Sequence, residues 1–219
     1  MTYGEAVEYI LDIPKFTKKN DAVHTKTFLR YLGDPQENLK VLHVAGTNGK
    51  GSVCAYLEAM LRSEGKRTGL FTSPHLVRIN ERIAIDGCQI SDGRFCQIFG
   101  RTFDAVKRME EQGLSHPTFF EFLLGMALCA FQEEGVEYAV LETGLGGRLD
   151  ATSAVEPPLV CVITSIGYDH MQYLGDTLAE IAAEKAGIIR PGVPVFYASS
   201  SEDSDRVIEE TAVKNKSFC

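Results

Sequence analysis

Four short, nearly continuous apolar runs punctuate the chain: Val41–Ala45, Thr68–Thr72, Tyr138–Glu142 and Leu159–Thr164. Runs of this length without polar alternation are what strands covered on both faces look like. A fifth, Val193–Ala198, follows the Pro191-Gly192 turn. Between them, apolar residues recur at helical spacing over Gly51–Glu64, Asp92–Glu111, Thr118–Glu134 and Thr177–Ile189. The last of these opens with Thr177 and Glu180 three residues on, a capping box. Strand, helix, strand order predicts an α/β fold, a mostly parallel sheet with helices on both faces. Arg82–Asp86, ending at Gly87, reads as a hairpin excursion after the second strand. The first forty residues mix helical stretches with polar turns and read as a cap on the same domain.

A length of 219 residues at 44% hydrophobic composition suits one domain with a real core. The charge narrows the partners. A formal net charge of −8 argues against a nucleic-acid binder, whose phosphate contacts need a basic face. The N-terminus Met1-Thr-Tyr-Gly-Glu has neither a positive nor an apolar leader segment, and the longest apolar run, Phe122–Phe131, is too short to span a bilayer. No membrane partner and a cytoplasmic location are therefore expected. Cys54, Cys88, Cys96, Cys129, Cys161 and Cys219 show no CxxC spacing and are expected to be reduced, structural thiols.

Candidate chemistry begins where the first strand ends. Gly46, Thr47, Asn48, Gly49, Lys50, Gly51 and Ser52 form a glycine-rich turn that leads into a helix. Such a turn leaves backbone N–H groups to surround an anion, and a lysine adds charge. The Walker pattern GxxxxGK[ST] is not met, because Val44 stands at its first glycine and Gly51 at its hydroxyl residue. The plain alternative is a glycine-rich turn with an incidental lysine. Against it, a cation at a helix N-terminus is unfavourable unless an anion is near, so Lys50 is assigned to a phosphate.

The heptapeptide after Val41-Leu-His-Val-Ala45 resembles that of the folylpolyglutamate and dihydrofolate synthases, relatives of the Mur peptide ligases. The likeness runs from Tyr3 to about Ala198. It includes Thr72-Ser-Pro-His-Leu, Ile79-Asn-Glu-Arg-Ile, Thr118-Phe-Phe-Glu, Glu142-Thr-Gly-Leu-Gly-Gly-Arg-Leu-Asp-Ala-Thr152, Tyr168-Asp-His and Ala183-Glu-Lys-Ala-Gly-Ile, in that order. From Ser199 to Cys219 it is weak. The resemblance implies a P-loop NTPase-like domain of the Mur ligase central type, and a Rossmann-like C-terminal domain of the family that residues 1–219 do not include. It implies an enzyme that uses ATP and Mg²⁺ to join L-glutamate to a folate through an acyl phosphate, acting as a monomer on small molecules.

The same resemblance implies roles for residues. Lys50, Lys185 and His170 are the expected catalytic residues, with Lys185 carbamylated, and Ser73, Glu142 and His170 the expected Mg²⁺ positions. Ser73, Glu142 and His170 each follow or end a strand, so a parallel sheet brings them to its carboxyl edge beside the phosphate turn. Read without the family, Glu142 is an ordinary strand-end carboxylate, Lys185 an exposed helical lysine and His170 a loop histidine, since imidazole is not a favoured Mg²⁺ donor. Thr118, Phe119, Phe120 and Glu121, with Arg148, Leu149, Asp150 and Ala151 in the glycine loop, are the implied folate contacts. Phe119 and Phe120 suit a stacking platform or the core equally. His24, His43, His75 and His116 have no such role, although His75 lies near Ser73 and could orient it. Two other readings remain: a Mur-type peptide ligase or other P-loop NTPase, and a nucleotide-binding module without ligase activity.

Overall fold

The computed structural model describes residues 1–14 and 22–219. The part of the expected N-terminal cap at 15–21 lies outside the described residues. Seven strands form one sheet: β1 (Lys40–Ala45), β2 (Thr68–Phe71), β3 (Ile83–Ile85), β4 (Cys88–Gln89), β5 (Tyr138–Glu142), β6 (Val160–Ile163) and β7 (Val195–Tyr197), in the order β4-β3-β2-β5-β1-β6-β7. β2, β5, β1, β6 and β7 run parallel. β3 and β4 are antiparallel additions at one edge. They turn at Asp86 and Gly87, both with positive φ (49° and 77°), the two-residue geometry that suits a tight hairpin.

Side chains alternate across this sheet. Val41, Phe71, Ala139 and Leu141 join a core with α1 (Tyr3–Asp12), α2 (Ala22–Tyr31), α4 (Asp92–Glu111) and α5 (Phe119–Glu133). Ala45, Cys161, Ile163 and Val195 pack instead with Ile181 of α7 (Leu178–Ala186) and Ile208 of α8 (Glu202–Lys214). The alternate residues Leu42, Val44, Val140 and Leu70 meet Cys54 and Leu57 of α3 (Lys50–Ser63). The expected α/β fold with both faces covered is therefore present.

Two expectations need correction, and one element lay outside them. The helix predicted over Thr177–Ile189 ends at Ala186. Gly187, its C-cap, is pressed against Arg148, where an added Cβ would lie 2.3 Å from the Arg148 Cβ, so a residue without a side chain lets the glycine loop dock there. The tail after Ser199 contains the unforeseen helix α8, opened by a Ser201/Ser204 capping box and burying Ile208 and Ala212. All six cysteines are free, but Cys88 and Cys219 are exposed and only Cys54, Cys129 and Cys161 are buried.

Candidate functional site

The chain leaves β1 for β2 through α3 on one side, and later passes from β5 across β1 to β6 on the other. The carboxyl end of β1 is thus a topological switch point, where open α/β sheets bind ligands. The glycine-rich turn sits there. Gly46 has φ 143°, and a Cβ on it would lie 1.8 Å from Thr164 Oγ1 at the end of β6, so only glycine fits. The Thr47 N–H donates to the Ser165 carbonyl at 2.8 Å. Thr47 Oγ1 donates to the Gly167 carbonyl and accepts from the Gly167 N–H, each at 3.1 Å. The turn is thereby braced by the loop that carries His170.

Gly49 (φ 84°) opens α3 without a side-chain cap, which leaves the first backbone donors of α3 for an anion. Lys50 Nζ folds back to donate to the Thr47 carbonyl at 3.2 Å. From beneath, Lys185 reaches the same turn: it is 2% exposed and its Nζ donates to the Gly46 carbonyl at 2.6 Å. Burial, then the charge of Lys50, lower the Lys185 pKa to about 8, against the pull of Asp169 and Asp150.

Glu142 ends β5 in register with Val44 and is 3% exposed. The Ser73 N–H donates to its Oε2 at 2.9 Å. A side chain on Gly51 would stand 3.6 Å from that oxygen, so carboxylate and phosphate turn are neighbours. Burial raises the Glu142 pKa; the Ser73 hydrogen bond, Lys50 and Arg82 oppose it. Ser73 and Glu142 are thus brought together. His170 begins the short α6 (Met171–Leu174) in a left-handed conformation, half exposed, with Nε2 3.6 Å from Asp169 Oδ1. Among the described residues no group of three or more His, Cys, Asp or Glu side chains converges to hold a metal. A serine hydroxyl and a carboxylate beside a phosphate turn are hard oxygen donors and fit Mg²⁺, whose shell is completed by water and phosphate.

The residues assigned to folate are mostly engaged within the fold. Thr118 and Glu121 form the capping box of α5. Glu121 Oε2 accepts from the Thr118 N–H at 2.7 Å, and Oε1 accepts from Thr25 Oγ1 at 2.6 Å and faces His24 Nδ1 at 3.3 Å. Phe119 is buried beneath the Arg82 guanidinium, 5.3 Å from the ring centre. Phe120 is half-buried, its ring 5.3 Å from that of Phe71 and seated against Gly144. Both aromatics therefore pack as core. Arg148 Nε and Nη2 donate to Glu184 Oε1 at 3.0 and 2.7 Å, and Leu149 is 44% exposed. Asp150 is buried, and Ala151 opens a turn of 3₁₀ helix to Ala154. His75 accepts from Arg82 Nε at 2.8 Å. Arg82, just before β3, is a further residue at this edge: its carbonyl accepts from the Thr72 N–H at 3.1 Å.

This switch-point site on a mostly parallel sheet has a counterpart in a known family. A family profile described as Mur ligase middle domain matches residues 44–217, and the chain belongs to that family. Over 187 residues the chain is 48% identical to a folylpolyglutamate synthase of Arabidopsis thaliana, covering 84% of this chain and 33% of the relative. It is 40% identical to the dihydrofolate synthase/folylpolyglutamate synthase of Bacillus subtilis, covering 97% of this chain and 50% of the relative. A solved FPGS–AMPPCP–folate complex superposes with a TM-score of 0.94 at 37% identity, over 99% of this chain and 53% of that one. The chain thus spans a third to about half the length of these relatives.

Proposed function

We propose that this chain carries the ATP site of a ligase that joins L-glutamate to a folate. The observation that carries the reading is the convergence of Lys50, Lys185 and the buried Glu142 on one uncapped phosphate turn at the switch point. Names of the relatives support the substrates: they are folylpolyglutamate synthases, and one solved relative is a complex with AMPPCP and folate.

In this reading a folate carboxylate oxygen attacks the γ-phosphorus of ATP, the bond to the β-phosphate oxygen breaks, and ADP departs. The glutamate amine then attacks the acyl carbon, phosphate leaves, and the amine proton goes to solvent. Lys50 and the open N–H groups of α3 hold the phosphates in line and offset charge on their oxygens. Ser73 and Glu142, with His170 from the bracing loop, would hold Mg²⁺, which supplies further positive charge there when bound. Lys185, near neutrality more readily deprotonated than an ordinary lysine, is suited to take up CO₂: its amine adds to the carbon, a proton is released, and a carbamate faces the turn. Phe119, Phe120, Thr118 and Glu121 support the acceptor site by shaping its wall, and Leu149 offers the loop's exposed contact. Among the described residues no helix is long and apolar enough to cross a membrane.

The test is calorimetry with ADP and with a non-hydrolysable ATP analogue. Lys50→Ala should weaken binding roughly tenfold or more, as expected for loss of a charge-assisted contact. Equal affinity for variant and parent would overturn the assignment of the turn.

A further inference from the structure

His43 lies in the middle of β1, two residues before the phosphate turn begins at Ala45–Gly46, and is 2% exposed. Its Nε2 is 2.7 Å from Thr152 Oγ1. Thr152 Oγ1 in turn donates to Asp150 Oδ1 at 2.6 Å. The threonine has one proton and gives it to the carboxylate, so the contact with His43 requires that Nε2 be the donor. Burial, then the Arg190 charge, lower the His43 pKa to about 3, which leaves the ring neutral with its proton on Nε2.

The far end of this chain of bonds is the glycine loop. Asp150 Oδ2 accepts from the N–H groups of Gly144 and Leu145, each at 2.9 Å, and Oδ1 accepts from the Thr152 N–H at 3.1 Å. With the Thr152 hydroxyl, the carboxylate takes four donors. A buried carboxylate so satisfied is committed to its own loop, and only Leu149 and Arg148 of the tetrad Arg148–Ala151 present exposed side chains.

We propose that His43 and Thr152 are positioning residues: a buried relay, His43 Nε2–H to Thr152 Oγ1–H to Asp150, fixes the glycine loop 144–150 to the strand that delivers the phosphate turn. The acceptor loop and the nucleotide turn are thereby held at one distance by side chains that touch neither substrate. The link to an acceptor rests on the ligase reading above. The relay itself does not.

Thr152→Val keeps the shape and removes the hydroxyl, so Asp150 loses a donor and His43 its acceptor. Amide hydrogen exchange of the 219-residue chain should speed up at Gly144 and Leu145 by roughly ten- to a hundredfold, as loss of a hydrogen bond to a charged group implies, while amides of α4 hold their rates. Thr152→Ser should restore protection. His43→Gln, whose amide nitrogen can occupy the Nε2 position, should be nearer the parent than His43→Leu. Unchanged exchange in Thr152→Val, or failure of Thr152→Ser to restore it, overturns the relay. Folate binding, followed by fluorescence quenching, supplies the second readout. Thr152→Val should weaken folate several-fold and leave ADP affinity within about twofold, a split that general destabilisation would not produce. If the parent binds no folate while the exchange pattern holds, the relay stands and the acceptor assignment falls. If exchange responds but folate affinity does not, the loop is fixed by the relay without serving the acceptor.

Discussion

Lys185 occupies a position that ordinary lysines avoid, 2% exposed against the Gly46 carbonyl, with its pKa lowered from 10.5 to about 8 chiefly by burial. Below pH 8 both folded and unfolded chains hold this proton, and the desolvation cost is fully present. Between pH 8 and 10.5 the unfolded chain binds more protons than the folded one, so this group's contribution to stability rises with pH. A tenfold loss of proton affinity on folding corresponds to about 1.4 kcal/mol, and replacing the lysine also strands the Gly46 carbonyl, which offsets part of the gain. Lys185→Met should therefore be more stable than the parent at pH 7 by about 2 kcal/mol, with the gap closing near pH ~9.5 and reversing above it. Urea unfolding at pH 7 and 10 checks this, and a variant less stable at pH 7 would contradict it. At this scale the sequence places Glu142, Ser73 and Lys50 at strand ends or a helix start on one sheet edge, where the structure has them, while the chemistry assigned to Ser73 and Glu142 came from the family resemblance. His43 was silent. Its partner Thr152 is 109 residues away, and a histidine inside an apolar strand reads as core until the fold brings the loop over it.

Elements were legible wherever propensity and tertiary demand agreed. The strands β1, β2, β5 and β6 coincide closely with apolar runs, and Asp92–Glu111 is recovered residue for residue in α4. They diverged where contact with another element decides. A glycine stands at the end of α7 because Arg148 occupies the space of its Cβ, a fact invisible within the helix itself. α8 is not legible in the sequence, because a polar segment with two buried apolar positions, Ile208 and Ala212, looks like surface until β7 and α7 are in place. Two glycines separate local from tertiary causes. Gly100, in the interior of α4, has nothing within 4 Å of a built Cβ, and Gly100→Ala should stabilise by about 0.5–1 kcal/mol through helix propensity. At Gly187 the added Cβ would meet Arg148 Cβ at 2.3 Å and its Cα at 2.5 Å, both too close to accommodate without moving backbone. Gly187→Ala should cost about 1–3 kcal/mol, as overpacking does. Denaturant midpoints of the two variants moving in the same direction would refute this division.

For the whole molecule the question is how much of a ligase one such domain can perform. The proposed nucleotide contacts come from three segments distant in sequence, Gly46 to Ser52, Ser165 to Gly167 and Lys185, which all meet at the carboxyl end of β1. Binding of ADP should therefore survive in the 219-residue chain. Ligation makes a different demand, because two attacks in turn, carboxylate on the γ-phosphorus and amine on the acyl carbon, must each be held in geometry. Orientation of reactants accounts for roughly 7–11 kcal/mol of such a barrier, and it requires walls on both sides of the reacting centre. Here the switch-point edge supplies one side, with the phosphate turn, Glu142 and the glycine loop, while the solved complex with AMPPCP and folate is a chain of which this one covers 53%. The 219-residue chain is accordingly expected to bind ADP with Mg²⁺ yet add no glutamate to a reduced folate above background when followed by radiolabelled glutamate incorporation. Incorporation at ordinary turnover rates, on the order of 1–1000 per second, would show that this half of the cleft suffices and that orientation is supplied from within these residues.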